Sequence, residues 1–172
     1  MIKIKIKNLI LISIFSAVTC ICSLISIPAG AVPINLALLP VFICSGVLCK
    51  GSAAASQIIF VLIGFIGVPV FSGFRGGIGV VFGPTGGYIL GYIACAFIAA
   101  FFIKKHIPVI LALNVGLLAC YSLGTAWFMF SQQVNIITAL TCCVLPFLPG
   151  DLLKVIAASI IIKKLSSVIS LK

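Results

Sequence analysis

Long apolar runs that end at lysines constrain this chain more than any other feature. The first run covers residues 8–27 and follows Lys7. A helix of about 20 residues crosses the apolar core of a bilayer, which is about 30 Å thick. Hydrophobic residues make up 63% of the chain and charged residues only 7%, whereas about 25% of an average soluble domain is charged. The composition therefore excludes a soluble globule, and the abundance of apolar residues excludes a disordered chain.

Further apolar runs follow, separated by polar or glycine-rich breaks. They cover residues 33–49, 52–68, 84–103, 107–130 and 151–162. The glycine-rich stretch 69–83 predicts a loop or a broken helix. Residues 134–145 are too few to span a bilayer and predict a short, partly inserted segment before the last helix. The sequence thus predicts a single all-α transmembrane domain, residues 1–172, with six transmembrane helices.

The positions of the basic residues predict which side of the membrane each connection faces. Nine of the 11 basic residues fall on one side, and these are Lys3, Lys5, Lys7, Lys50, Lys104, Lys105, Lys163, Lys164 and Lys172. Only Arg75 and Lys154 fall on the other. Because cytoplasmic loops are enriched in Lys and Arg, the first side and both termini are predicted to be cytoplasmic. The net charge of +10 is therefore attributed to membrane topology and not to a nucleic-acid partner. The protein is predicted to be a multi-pass protein of the cytoplasmic membrane.

Two patterns in the sequence are compatible with other interpretations. Ala29-Gly30-Ala31 resembles a signal-peptide cleavage site, but the preceding apolar run is longer than the usual signal core, which favours a membrane span. The eight cysteines form no C-x-x-C pair, and His106 is the single histidine. Packing within apolar helices is therefore favoured over a metal site or a disulfide framework.

The single acidic residue, Asp151, shares a predicted side with the two basic residues that break the charge pattern. Asp151 and Lys154 are three residues apart and so share one helix face. Arg75 lies in the glycine-rich stretch. Charged groups in a membrane protein usually line a cavity or pair with each other. The sequence therefore indicates either a small-molecule site at the outer helix ends or a helix cap with a surface ion pair.

Polar, aromatic and glycine residues on other segments are candidates to complete such a site. These candidates are Asn35, Gln57, Phe74, Gly83, Tyr88 and Trp127. The sequence contains no phosphate-binding loop and no cluster of metal ligands, and one acid with one histidine disfavours an acid–base enzyme. A non-enzymatic membrane subunit that binds a substrate and is powered by other subunits fits these features.

Two motifs resemble the signatures of a known family. GGIGVVFGPTGGY, residues 76–88, and PFLPGDLLK, residues 146–154, resemble those of the BioY family, the biotin-specific S components of energy-coupling factor (ECF) transporters. Shorter matches occur at residues 32–34, 56–57 and 67–71, so the resemblance covers nearly the whole chain in order. It implies a six-helix protein that binds biotin from outside and couples to a transmembrane T component and two ATPase subunits. Biotin is then the transported ligand, and no resident cofactor is expected.

The resemblance also suggests how the candidate residues would meet biotin. Ionised Asp151 only accepts hydrogen bonds, which suits the two N–H groups of the ureido ring. Lys154 or Arg75 would hold the tail carboxylate or the ureido carbonyl, while Tyr88 and Trp127 would form apolar walls. Members of the family often have Thr-Leu-Gln-Thr where this chain has Asn-Leu-Ala-Leu, residues 35–38. Two alternatives stay open: an S component for another cofactor precursor such as lipoate, and a non-transporting scaffold.

Overall fold

The computed structural model describes residues 6–27 and 32–168, which are mostly helical. The helices are α1 (Ile6–Leu24), α2 (Leu38–Val47), α3 (Lys50–Phe65), α4 (Ile78–Val81), α5 (Gly86–Lys104), α6 (Val109–Gln132), α7 (Ile136–Cys143) and α8 (Leu148–Val168). Two short strands, β1 (Ser26–Ile27) and β2 (Ile34–Asn35), join α1 to α2. The possible cleavage site Ala29-Gly30-Ala31 lies outside the described residues, as do Lys3, Lys5 and Lys172.

The predicted class, an all-α membrane protein, is confirmed within the described residues. Helices α1, α5 and α6 are each long and apolar enough to cross a membrane, and α7 with α8 forms a further candidate span bent by 54°. Helices α2 and α3 are apolar but shorter, with 10 and 16 residues. The short segment predicted at 134–145 corresponds to α7, which is followed by the break that precedes α8.

Glycines bring α5 and α6 into close contact. A Cβ atom at Gly87 would overlap Trp127, and one at Gly124 would overlap the ring of Tyr88. At Gly91 an added Cβ would lie 2.9 Å from the Sγ atom of Cys120. Gly87 and Gly91 are thus positions of tight helix packing, since small residues let helix backbones approach within a membrane.

The chain between α3 and α5 folds into a tight loop, as the glycine-rich sequence predicts. Phe71 and Arg75 form an isolated antiparallel bridge, with N–O distances of 2.9 and 3.2 Å. Gly73 and Phe74, at the turn between them, have φ angles of +76° and +55°. The amide of Gly77 donates to the carbonyl at the end of α3 over 2.7 Å. The loop is therefore fixed to the bundle by backbone hydrogen bonds.

The second predicted helix begins later than its apolar run suggests. Residues 34–35 form β2, where Ser26 pairs with Asn35 and Ile27 pairs with Ile34. The side-chain oxygen of Asn35 then accepts a hydrogen bond from the amide of Ala37 over 3.1 Å. Such local bonding by asparagine competes with helix formation, so α2 starts only at Leu38. The small hairpin holds Asn35 at one end of the bundle.

Candidate functional site

A cavity of about 440 Å³ lies at the end of the bundle where α1 finishes and where α5 and α8 begin. This volume is within the range of small-molecule sites, about 300–1,000 Å³. Its polar lining residues come from α1, the hairpin, the 71–85 loop, α5, α6 and α8: Ser23, Ser26, Asn35, Ser72, Arg75, Thr85, Tyr88, Tyr92, Tyr121, Asp151 and Lys154. The single acid of the chain and both outer cations are thus brought together.

Asp151 and Lys154 form a buried ion pair on the first turns of α8. The Nζ atom of Lys154 lies 2.7 Å from Oδ1 of Asp151, and the two residues are only 8% and 2% exposed. Asp151 is in the first turn of the helix, where the helix dipole favours a negative charge. The hydroxyl of Tyr121 donates to the other carboxylate oxygen, Oδ2, over 2.6 Å. Both oxygens of Asp151 are therefore held in place.

Asn35 connects this ion pair to the loop and to α5. Its backbone carbonyl accepts a hydrogen bond of 2.6 Å from Nζ of Lys154. Its side-chain nitrogen donates to Oγ of Ser72 over 2.7 Å, and its side-chain oxygen accepts from the hydroxyl of Tyr92 over 3.4 Å. The hairpin thus fixes the position of Lys154, which uses two of its three donors within the protein.

Arg75 differs from Lys154 in being exposed and unpaired. It lines the cavity from the loop, and its guanidinium has no hydrogen bond or ion pair among the residues that the structure describes. Because Asp151 and Lys154 balance each other, the charged residues of the cavity leave one positive charge uncompensated. A site with this balance favours a ligand that combines neutral polar groups with one negative charge.

The remaining wall of the cavity is largely apolar and aromatic. Phe71 is buried and packs edge-on against Phe60, with the ring centroids 5.5 Å apart. Tyr88 presents its ring to the cavity, and its hydroxyl lies 3.1 Å from that of Thr125. Val80, Pro84, Ile89 and Phe147 complete this surface. Such a wall suits the apolar part of a small ligand, with a few polar groups setting its orientation.

Six of the nine predicted site residues line the cavity: Asn35, Arg75, Gly83, Tyr88, Asp151 and Lys154. Gln57 does not. It is fully buried between α1, α2 and α3, where its side-chain nitrogen lies 3.0 Å from Oγ of Ser56 and 3.5 Å from Oγ1 of Thr19. Gln57 therefore turns towards a polar contact between helices rather than towards the site.

Two further predicted residues lie beside the cavity without lining it. Phe74 is 71% exposed, because the left-handed turn that it occupies directs the ring away from the bundle. The indole nitrogen of Trp127 donates to the carbonyl of Gly83 over 2.9 Å. Trp127 thus supports the backbone of a lining residue, and the apolar wall expected from it is provided by Phe71 and Phe147.

Tyr121 is the main residue that the sequence-based prediction missed. Buried positions in α6 recur every three or four residues, and Tyr121 shares this face with Gly116, Gly124 and Thr125. A tyrosine among small residues on an inward face needs a polar partner for its hydroxyl. That pattern was the available signal, although the partner, Asp151, follows 30 residues later in the sequence.

Comparisons with known proteins identify relatives of this chain. The BioY family model matches residues 1–170. "Biotin transporter BioY" of Thermotoga maritima is 37% identical over 163 residues, covering 92% of this chain and 95% of the relative. "Biotin transporter BioY2" of Lactococcus lactis subsp. cremoris is 34% identical over 160 residues, covering 91% and 88%.

A solved structure extends the comparison to the fold. The crystal structure at 2.1 Å of the S-component for biotin from an ECF-type ABC transporter has a TM-score of 0.88 to this protein. Its sequence is 28% identical, and the match covers 94% of this chain and 92% of that one. From the family match over nearly the whole length, the identities and the shared fold, it follows that this chain belongs to the BioY family.

Proposed function

We propose that this protein binds biotin in the cavity beside α8 and takes it up across the cytoplasmic membrane as the S component of an ECF transporter. The observation that carries the proposal is the charge arrangement of the cavity, a neutral Asp151–Lys154 pair with Arg75 unpaired. Biotin has a neutral ureido head and one anionic tail, which matches that arrangement. Relatives of 34% and 37% identity are named biotin transporters.

The polar groups of the cavity suit the two ends of biotin differently. Asp151 keeps lone pairs that accept from the ureido N–H groups, and Lys154 keeps one donor for the ureido carbonyl. Arg75 is the better partner for the tail carboxylate, because its guanidinium has no competing partner among the described residues and forms bidentate bonds with carboxylates. Tyr88 and Phe71 would pack against the sulfur ring.

We assign six membrane spans to the single domain of residues 1–172. These spans are α1, α2, α3, α5, α6 and the α7–α8 pair. The lysines support alternating directions, because Lys7, Lys50 and Lys104 stand at the start of α1, the start of α3 and the end of α5. Both termini are then cytoplasmic and the cavity lies at the outer surface.

Energy for uptake is assigned to partner subunits, a transmembrane T component and two ATPases, because the solved structure of the same fold is the S component of an ECF-type transporter. The protein acts as a carrier without enzymatic activity or a resident cofactor. Co-purification of these subunits with the tagged chain, expressed in its own host, tests the assignment. Failure to recover a T component while biotin binding persists would support a carrier that works alone.

Titration of the purified protein with labelled biotin tests the proposed ligand. We expect a dissociation constant near the nanomolar range, about −12 kcal/mol. Unlabelled biotin should displace the label, and lipoate, which lacks the ureido ring, should not at similar concentrations. Displacement by lipoate at lower concentrations than biotin would reassign the substrate, and the absence of binding to either vitamin would favour a non-transporting scaffold.

A further inference from the structure

The end of the molecule opposite the cavity carries lysines that lie against aromatic rings. The Nζ atom of Lys50 is 5.0 Å from the ring centroid of Phe101 and 5.5 Å from that of Phe97. The Nζ atom of Lys105 is 4.6 Å from the same Phe101 ring. These distances are within the range of about 6 Å in which a cation is attracted to a ring. We refer to Lys50, Lys104, Lys105, Phe97 and Phe101 as the lysine–phenylalanine cluster.

No acidic side chain of the described residues accompanies this cluster. The sequence contains one acidic side chain, Asp151, and its carboxylate is bonded to Lys154 at the other end of the bundle. The Nζ atoms of Lys50 and Lys105 lie 5.0 and 4.6 Å from the Phe101 centroid, so the two positive charges are at most about 10 Å apart, and Lys104 directly precedes Lys105. Like charges repel at such separations. Since no acidic side chain is available to neutralise them, these lysines favour an anion from outside the protein.

The start of α3 adds donors at the same place. Lys50 is the first residue of α3, and the preceding residue, Cys49, makes no side-chain capping bond. The first N–H groups of such a helix lack partners within it and favour an anion. The pKa of the Cys49 thiol is lowered, first by its hydrogen bond with Ser52 and further by the charge of Lys104. The ends of α3 and α5 are thus close enough to act on one group.

The rings distinguish a lipid from a free anion. Phe97 and Phe101 are one helical turn apart on α5, and Phe97 is exposed. The cluster therefore has lysines at the end of the helix and an exposed apolar ring one turn closer to the middle of α5. A phospholipid has the same order of groups, with its phosphate at the surface and its acyl chains below. Free phosphate would leave the exposed Phe97 ring without an apolar partner.

We propose that the lysine–phenylalanine cluster binds the phosphate of an anionic phospholipid, with an acyl chain packed against Phe97. The three lysines provide the charge, and the Phe101 ring fixes the positions of Lys50 and Lys105. The site is separate from the biotin cavity and does not depend on the proposed transport function.

Lipid retention tests this site directly. The full chain is purified from detergent micelles that contain equal amounts of phosphatidylglycerol and phosphatidylcholine, and the retained lipids are quantified by mass spectrometry. We expect phosphatidylglycerol to be enriched, and Lys50→Gln/Lys105→Gln to reduce that enrichment at least about fivefold, because both lysines attract the anionic phosphate. Lys163→Gln/Lys164→Gln, which removes the same charge from α8, is the matched control and should retain most of the enrichment.

A second variant separates a built site from general attraction. Phe101→Leu leaves every charge in place but removes the shared ring, so we expect it to lower the enrichment as well. Equal losses in the two double-lysine variants, together with no loss in Phe101→Leu, would overturn the proposal in favour of non-specific attraction. Displacement of phosphatidylglycerol by inorganic phosphate as readily as by a short-chain phosphatidylglycerol would indicate a simple anion site and would also overturn it.

Two further measurements, size-exclusion elution and retention of partner proteins, show whether a loss of lipid reflects misfolding or a protein contact. Each variant is checked by size-exclusion elution, and only variants that elute like the parent protein are compared. If the Lys50/Lys105 variant loses a partner protein but retains phosphatidylglycerol at the parent level, the cluster is a protein contact and the lipid assignment fails.

Discussion

Tyr121 donates a hydrogen bond of 2.6 Å to Oδ2 of Asp151, the carboxylate oxygen that Lys154 does not contact. The only acidic side chain of the protein is therefore held from two sides, by a hydroxyl on α6 and an ammonium on its own helix. Lone pairs remain on both oxygens for further donors. Because the carboxylate is already oriented, a ligand need not pay for ordering it on binding.

Replacing this carboxylate tests the site most directly. We expect Asp151→Asn to weaken biotin binding at least about tenfold, because the amide loses the charge that strengthens hydrogen bonds from the ureido group. Titration with labelled biotin measures the effect, and normal membrane insertion should accompany it. The variant leaves Lys154 buried without its partner, which is itself destabilising. The double variant Asp151→Asn/Lys154→Met removes that cost and should still bind weakly, whereas parent-level affinity in either variant would exclude Asp151 from the site.

Tyr121 is expected to act through the carboxylate that it holds. Tyr121→Phe keeps the ring and removes one hydrogen bond to a charged group, so we expect biotin affinity to fall about two- to tenfold, less than for Asp151→Asn. Ser122→Ala, at the exposed neighbouring position of α6, is the control, because that hydroxyl bonds only to its own helix in the structure. A loss equal to that of Asp151→Asn would instead indicate that Tyr121 contacts the ligand directly.

The assignment of Arg75 to the ligand tail is tested by changing the protein and the ligand together. Arg75→Gln should weaken the binding of biotin about tenfold or more, since a bond between two charged groups is lost. Biotinamide has no tail charge, so its affinity should change much less. Lys105→Gln, at the far end of α5, should alter neither affinity. If Arg75→Gln weakens both ligands equally, the carboxylate is held by another group.

Replacing Gln57 tests whether this side chain lies outside the ligand cavity, as the structure shows. Its side-chain oxygen is buried without a hydrogen-bond partner among the described residues. Gln57→Met has similar length and removes that unsatisfied group, so we expect biotin affinity within about twofold of the parent and no loss of stability. A tenfold loss of affinity with unchanged thermal unfolding would place Gln57 in functional contact with the ligand.

Close packing of α5 on α6 predicts a stability effect at Gly87. An added methyl group there would overlap Trp127, so Gly87→Ala should destabilise the protein by about 1–3 kcal/mol. Gly51→Ala is the matched control, because nothing lies within 4 Å of the added carbon and alanine is the better helix former. Thermal unfolding in detergent compares the two variants. Equal unfolding temperatures for both would contradict the tight contact between the helices.

The parts of the fold that depend on local pattern could be predicted from the sequence. Apolar runs and lysine positions indicated a helical membrane protein, and the three-residue spacing of Asp151 and Lys154 indicated a shared face. The 2.7 Å ion pair agrees with that spacing. Gly87 and Gly91 are four residues apart and therefore lie on one side of α5, where they let α6 approach closely.

The remaining features depend on contacts between distant segments. Asn35 was placed in a helix, since two-residue strands leave no visible alternation in an apolar run. A polar residue such as Gln57 identifies an inward face without showing whether a cavity or another helix lies there. Tyr121 was missed for the same reason, because its partner is on another helix. The periodicity of a single helix carries no information about which neighbour it meets.

The unpaired guanidinium at the cavity has a consequence for movement through the bilayer. An empty site bears one net positive charge, whereas a site occupied by a monoanion bears none. Transferring an isolated charge towards a low-dielectric region is costly. Moving the empty, positively charged site in that direction therefore costs more free energy than moving the neutral, occupied site. A bound monoanion therefore lowers the electrostatic barrier to any reorientation of the site within the bilayer.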